Sequence, residues 1–215
     1  MSKRQYDQYC PVAGALDIVG ERWALLVVRE LLSGPKRFVD LEAGLPGVGT
    51  NTLTTRLAEL EDAEIIEKRR LGVPAAATVY ALTDCGADLD TVIYALGRWG
   101  AQRLGKAAPR YSLRASWLAT ALKAFYRRET DRRLSATIAV VLPTGTLALR
   151  FNRGSLTVTQ GDVESSDLRV LASEDDLVAA LSGDRRARKR LRLEGDAALL
   201  DRLIAAFPLR MAPAD

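Results

Sequence analysis

The chain has 215 residues, of which 48% are hydrophobic and 27% charged, a composition typical of a folded protein long enough for two ordinary domains. It contains no histidine and only two cysteines, which excludes Ser-His-Asp and Cys-His catalysis and leaves too few ligands for the common zinc sites. No segment approaches the ~18 to 20 apolar residues of a membrane span, and residues 1–11 lack the apolar core of a signal peptide. We therefore expect a cytoplasmic protein that is not an enzyme, does not bind membranes and needs no metal or cofactor.

The formal net charge of +4 is unevenly distributed along the chain. Residues 1–104 contain 12 Lys/Arg and 14 Asp/Glu, a net charge of −2, whereas residues 105–215 contain 19 and 13, a net charge of +6. A nucleic-acid site in the first half would therefore depend on a local basic cluster. Gly and Pro interrupt the periodicity at 105–112, which we interpret as a linker between domains at 1–104 and 113–215.

The apolar spacing of the first half predicts helices at residues 21–32, 37–43 and 51–62, followed by strands at 65–71 and 78–83 that are joined by a tip at 72–77. Thr50 is the predicted N-cap of the third helix. The leucines of that helix share one face, which leaves short polar side chains on the other. These polar residues are Asn51, Thr52 and Thr55.

Helix, turn, helix and a hairpin with a basic edge are typical of a winged helix. Short polar side chains let a helix enter a major groove about 12 Å wide and hydrogen-bond to base edges. Basic side chains on the first strand would lie along an adjacent phosphate strand. These basic residues are Lys68, Arg69 and Arg70. The alternative is that the polar helix face is merely solvated and the basic hairpin is merely a protected sheet edge.

Six short motifs follow one another in the first half: CPV at 10–12, DIVGERW at 17–23, LLSGPKRF at 31–38, LTTRLAELE at 53–61, VYALT at 79–83 and WG at 99–100. In this order, across residues 9–104, they resemble the HxlR family of bacterial transcription regulators. The resemblance implies a winged helix-turn-helix domain that dimerises through its terminal helices and binds a roughly palindromic operator in double-stranded DNA. It makes residues 51–63 the recognition helix.

The resemblance also extends the set of candidate DNA-binding residues. It implies that Lys36 and Arg37 lie near the DNA backbone, while for Arg56 a phosphate contact and an ion pair with a neighbouring Glu both remain open. The complete set is Lys36, Arg37, Thr50, Asn51, Thr52, Thr55, Arg56, Lys68, Arg69 and Arg70.

Cys10 allows two interpretations. Some members of the family sense electrophiles or oxidants with a cysteine just before the first proline, which makes Cys10 a candidate redox sensor whose thiolate Lys3 and Arg4 would favour. Alternatively, Cys10 is a small buried residue beside a helix start. We expect Cys85 to be structural.

The segment 84–104 is predicted as one helix with a broad apolar stripe, more apolar surface than a small winged domain can cover. The stripe consists of Leu89, Val92, Ile93, Leu96 and Trp99. We expect it to pack in a twofold homodimer, which would match the two halves of a palindromic operator.

The second half is predicted to contain a helix around 117–125, strands at 136–143, 146–151, 155–159 and 168–172, a helix from the N-cap Ser173 to 181, a strand at 191–193 and a helix at 197–207. Residues 113–208 are similar to the sterol-carrier-protein-like fold. That resemblance implies a sheet and helices around an apolar tunnel for a lipid-like ligand, although each lining candidate is otherwise plain core. The candidates are Trp117, Phe125, Phe151 and Phe207.

Residues 185–192 include six basic residues in eight, which we interpret as a solvated loop and strand edge rather than a contact to DNA or an anionic ligand. The predicted fold class is α+β, with a winged helix-turn-helix followed by an α/β sandwich-like, sterol-carrier-type domain. The predicted function is a dimeric repressor whose second domain either binds a small apolar effector or stabilises the dimer. The alternative is a small-molecule carrier, or an enzyme, centred on the second half.

Overall fold

The computed structural model describes residues 5–72, 77–103, 113–129 and 133–207. The chain divides into two compact units, Met1–Ile93 and Tyr94–Asp215. The predicted linker at 105–112 and most of the predicted hairpin tip, residues 73–76, lie outside the described residues. The domain boundary at residue 104 therefore stays a prediction. Within the described ranges, no helix combines the length and the apolar character needed to cross a bilayer.

The first unit consists of helices and one antiparallel hairpin. In chain order its elements are α1 Pro11–Val19, α2 Ala24–Leu31, α3 Phe38–Gly44, α4 Thr50–Asp62, β1 Ile66–Arg70, β2 Thr78–Leu82, α5 Asp84–Ala87 and α6 Asp90–Ala101, the last of which continues into the second unit. Lys36 forms an isolated β-bridge with β2, because its backbone exchanges hydrogen bonds of 3.0 and 2.8 Å with Tyr80. The loop before α3 is thereby attached to the hairpin.

The core of the first unit lies between α2, α3, α4 and the hairpin. Leu53, Leu57 and Leu60 are almost completely buried, which confirms the predicted leucine face of α4. Leu41 and Leu45, at α3 and just after it, are buried as well. Burial of this face fixes which side of α4 is turned to solvent.

Two local predictions in the first unit are wrong. Gly49, not Thr50, is the N-cap of α4, and Thr50 is its first residue. The predicted helix at 84–104 is two helices, because Thr83 caps α5 by accepting a hydrogen bond from the Gly86 N–H (3.0 Å) and α5 ends at Ala87. Gly86 is required there, since a Cβ would lie 2.0 Å from the carbonyl oxygen of Ile65.

The second unit is a mixed five-stranded sheet with helices. Its further elements are α7 Ala115–Phe125, β3 Ser135–Leu142, β4 Gly145–Asn152, β5 Ser155–Gln160, β6 Leu168–Leu171, α8 Glu174–Leu181, α9 Arg185–Arg190, β7 Arg192–Gly195 and α10 Leu199–Ala206. The strand order is β5-β4-β3-β6-β7, in which β3 and β6 are parallel and the other pairs antiparallel. The predicted strands are therefore confirmed, whereas the sterol-carrier-type fold stays a prediction.

Helix α9 corrects the interpretation of the basic run as a loop. The N-cap Asp184 accepts hydrogen bonds from the backbone N–H groups of Arg186 (2.7 Å) and Ala187 (3.2 Å), which starts the helix. Ala187 is fully buried and anchors α9 to the core. The predicted N-cap Ser173 is confirmed for α8, because its hydroxyl oxygen accepts from the Asp176 N–H at 3.1 Å.

Candidate nucleic-acid interface

The exposed face of α4 is the centre of the candidate interface. Successive helical residues are rotated by about 100°, so that Asn51, Thr55 and Ala58 lie opposite the three buried leucines. All three are exposed. The sequence analysis missed Ala58. Its position three residues after Thr55, which places both on one face of a helix, was the available signal. Its small side chain lets another surface approach the middle of α4 closely.

The threonine hydroxyls of α4 are partly engaged within the helix. Thr55 donates to the Asn51 carbonyl (3.0 Å), and Thr54 donates to the Thr50 carbonyl (2.9 Å). Thr50 donates to the carboxylate of Glu42 at 2.6 Å. Thr55 is thus presented to a ligand mainly as a hydrogen-bond acceptor and a methyl group, whereas Thr52 at the side of the helix is exposed.

Lys36 belongs to a buried cluster of charges rather than to an open surface. Its ammonium lies 3.6 Å from Glu30, whose side chain is only 1% exposed. Arg29 also pairs with Glu30, at 2.8 Å, and burial lowers the pKa of Arg29. Sequence reasoning missed Glu30, although a carboxylate within the apolar run at 24–32 was a visible signal. Lys36 would have to turn away from Glu30 to reach a phosphate.

Arg37 and Asp40 form an exposed pair at the start of α3. The Arg37 Nε donates to the Asp40 carboxylate at 3.0 Å, and the Arg37 N–H donates to the same carboxylate at 3.2 Å. The hydrogen bond from the Arg37 side chain holds the pKa of Asp40 below its ordinary value. Such a solvated pair is weak, so that Arg37 can exchange Asp40 for a phosphate at small cost.

Arg56 makes ion pairs with its neighbours. It pairs with Glu59, one turn further along α4, and its guanidinium lies 3.8 Å from Glu21. The side chain is 13% exposed. Of the two alternatives for Arg56, the geometry favours the ion pair, while a phosphate contact stays a prediction.

The basic edge of the hairpin is largely neutralised by nearby acids. Lys68 pairs with Glu61 at 2.6 Å, which raises the pKa of Lys68, and Arg69 pairs with Glu67 at 2.5 Å. Arg70 is exposed and has no salt bridge within 4.0 Å to any acid in the described part of the chain. Arg70 is therefore the cation of β1 that is ready to contact a phosphate.

The cysteines occupy different environments. Cys10 precedes α1 as its N-cap residue and is half-buried, whereas Cys85 is exposed in α5 rather than packed in the core. Lys3 and Arg4, the predicted neighbours of Cys10, lie outside the described residues.

Helices α1 and α6 each expose three large apolar side chains. On α6 these are Val92 (43% exposed), Leu96 (47%) and Trp99 (59%). The predicted stripe is thus present in part, because Ile93 is buried and Leu89 lies before the start of α6. The first helix, α1, likewise exposes Val12, Leu16 and Ile18.

The predicted lining residues of the second unit are mostly core. Phe151 and Phe207 are buried, lie 6.2 Å apart between ring centroids, and both contact the ring of Tyr126 at 5.9 and 5.8 Å. Trp117 and Phe125 are half-buried. The guanidinium of Arg114 lies 6.0 Å from the Trp117 ring. Phe151 and Phe207 therefore fill the core, and a lining role for all four stays a prediction.

A helix-turn-helix whose second helix exposes a short polar face, beside a two-stranded wing, defines a winged helix DNA-binding protein. Residues 18–108 match the model of the HxlR-like helix-turn-helix family. The chain is 34% identical over 94 residues to the HTH-type transcriptional regulator YodB of Bacillus subtilis, covering 43% of this chain and 84% of that protein. It is 32% identical over 96 residues to the uncharacterised regulator YvaP of the same organism, covering 44% and 89%.

Among solved structures, the reduced form of YodB from B. subtilis is 33% identical, with a TM-score of 0.40, and the match covers 44% of this chain and 94% of that one. The chain belongs to the HxlR-like helix-turn-helix family. It is a DNA-binding regulator of transcription.

Proposed function

We propose that the chain is a cytoplasmic homodimeric repressor that reads a palindromic operator with α4 and holds the DNA backbone with the wing. The observation that carries this proposal is the position of Asn51 and Thr55 on the outward face of α4, opposite its buried leucines. The Asn amide offers a donor and an acceptor and can pair with the edge of adenine in the major groove. Thr55 can accept a hydrogen bond or contact a thymine methyl group.

The exposed apolar residues of α1 and α6 support the homodimer. A helix with three large apolar side chains turned to solvent gains stability when a second copy covers it. A twofold dimer would place two copies of α4 at two operator half-sites, about one helical turn apart.

The proposal is tested by selecting operators for the full chain from randomised duplex DNA, then comparing variants on the selected site and on unrelated DNA. We expect a palindromic consensus, and we expect N51A and T55A each to lose about 1–3 kcal/mol of binding free energy on the operator only. T54A is the matched control, because Thr54 makes the same hydrogen bond to the backbone but lies at the side of the helix. Equal losses on both DNAs, or an equal loss in T54A, would contradict base reading.

We further propose that the second unit has a sterol-carrier-type fold and binds a small apolar effector that is coupled to DNA affinity. The mixed sheet with helices on a shared apolar core supports this assignment. Apolar metabolites that co-purify with the full chain would be identified by mass spectrometry. Adding them back should change operator affinity 5- to 150-fold, the usual range of allosteric coupling. A bound metabolite with no effect on DNA affinity would indicate a carrier instead.

For Cys10 we propose a redox role at the start of α1. Oxidation or alkylation there would disturb a helix with three exposed apolar residues, and thus the proposed dimer. The full chain and C10S would be treated with diamide, with C85S as the control. Loss of operator binding that C10S prevents and C85S does not would support the role, and equal responses of all three proteins would exclude it.

A further inference from the structure

Helix α9, far along the chain from the recognition helix, carries exposed cations that have no salt-bridge partner among the described residues. Residues 105–215 have a net charge of +6, whereas residues 1–104 have a net charge of −2. The predicted DNA contacts Lys36, Arg37, Arg56, Lys68 and Arg69 all make ion pairs with acids. Each of these five residues must leave an ion pair before it can contact a phosphate, whereas Arg70 is exposed without one.

Helix α9 has a solvent face made of basic residues only. Ala187 is fully buried and marks the inner side of this six-residue helix. At about 100° per residue, Arg185 and Lys189 lie on the opposite side, and Arg186 lies beside them at one flank; all three are exposed. We call these three residues the α9 basic face.

The basic residues at the flanks of α9 have a different role. Arg188 pairs with Asp201 of α10 at 2.6 Å, and Arg190 pairs with Asp176 of α8 at 2.6 Å. These two ion pairs attach α9 to its neighbouring helices. The α9 basic face has no such partner within 4.0 Å among the acids of the described residues. Arg192, at the start of β7, is exposed close by.

The arrangement is unfavourable for the isolated unit. Like charges three or four residues apart on a helix repel each other, as Arg185 and Arg186 do with Lys189. Arg185 and Arg186 also stand in the first turn, where the helix dipole disfavours cations. Asp184, the acid next to Arg185 in the chain, accepts two backbone hydrogen bonds as the N-cap, which hold its pKa below the ordinary value. An anionic partner would relieve this repulsion.

We propose that the α9 basic face is a second DNA-contacting surface, which binds the phosphates of double-stranded DNA without reading sequence. This inference rests on the proposed function, because DNA is the polyanion that a winged helix regulator already holds. The winged helix then determines the sequence specificity, and the second unit contributes much of the salt-dependent affinity for DNA.

The experiment measures binding of the full chain to its selected operator and to an unrelated duplex over a series of salt concentrations. For R185Q/R186Q/K189Q we expect the plot of log affinity against log salt to flatten by about 2 to 3 units per chain on both DNAs, since each phosphate contact contributes about 0.9. The control R127Q/R150Q/R153Q removes the same charge from other exposed positions and should change the slope by less than about 0.5 unit. R185K/R186K keeps the charge and should keep the slope.

An α9 variant with the slope of the parent chain, or with the same change as the control, would overturn the inference. So would a variant that loses affinity for RNA or anionic vesicles but not for duplex DNA. Failure of the proposed function is distinguishable, because the parent chain would then not discriminate the selected operator from unrelated DNA. Circular dichroism of each variant checks that these exposed substitutions leave the fold intact.

Discussion

Substituting Glu30 and Gly44 together should reveal how the turn before the recognition helix is held. Glu30 is buried, pairs with Arg29 and Lys36, and packs against Gly44 at the end of α3. A Cβ on Gly44 would lie 2.6 Å from the Glu30 carboxylate. The five residues after Gly44 lead directly into α4.

The two single substitutions should each destabilise the first unit. E30A leaves two cations without their buried partner, which typically costs about 3–5 kcal/mol of unfolding free energy. G44A forces the Glu30 carboxylate aside, at about 1–3 kcal/mol for overpacking, offset by up to about 1 kcal/mol of helix propensity. In the E30A background the overpacking is gone, so that G44A should be neutral or stabilising by up to about 1 kcal/mol.

The coupling free energy of this double-mutant cycle should therefore be about −1 to −3 kcal/mol. The unfolding free energy of each variant would be measured from the urea dependence of hydrogen exchange. Only peptides from α2 and α4 would be followed, so that the measured value belongs to the first unit. E30Q is the control, because it keeps the shape of the side chain and should leave G44A costly. Effects that add within about 0.3 kcal/mol would refute the packing argument.

Three shorter predictions concern charge, assembly and pH. R70Q should flatten the plot of log DNA affinity against log salt by about 1 unit, and R69Q should flatten it by less, because Arg69 must first leave Glu67. Binding titrations that give the same slope for both variants would contradict this. W99A should raise the dimer dissociation constant about tenfold or more in analytical ultracentrifugation, whereas the control V39A, equally exposed on α3, should not. Because Arg190 lowers the pKa of Asp176 in the folded chain, the stability that this pair contributes is present above the unfolded pKa of about 3.9 and is lost as pH falls through the folded pKa. D176N should therefore make the free energy of unfolding depend less steeply on pH in the acid range. The control D175N should leave that dependence unchanged.

Local patterns were sufficient for most of the helices and strands. The leucine spacing of α4, the alternation of β3 to β6 and the Ser cap of α8 involve residues within one or two turns of each other, so that the sequence carries the whole signal. The same patterns misplaced the start of α4 and joined α5 to α6. In both places several residues could cap or continue a helix, and the structure has contacts there with residues from outside the segment: Thr50 donates to Glu42, and the backbone of Gly86 lies against the carbonyl of Ile65.

The sequence by itself determined the strands, the inward face of α4 and the membership of the first half in its family, because these depend on neighbours along the chain. Only the tertiary structure decided which charges are free to bind DNA. Glu30 and Lys36, Glu61 and Lys68, and the partners of Arg188 and Arg190 are separated by 6 to 14 residues, and folding brings them within ion-pair distance. The basic residues predicted to hold DNA were thereby mostly compensated, while a run interpreted as a solvated loop became a helix with an uncompensated face.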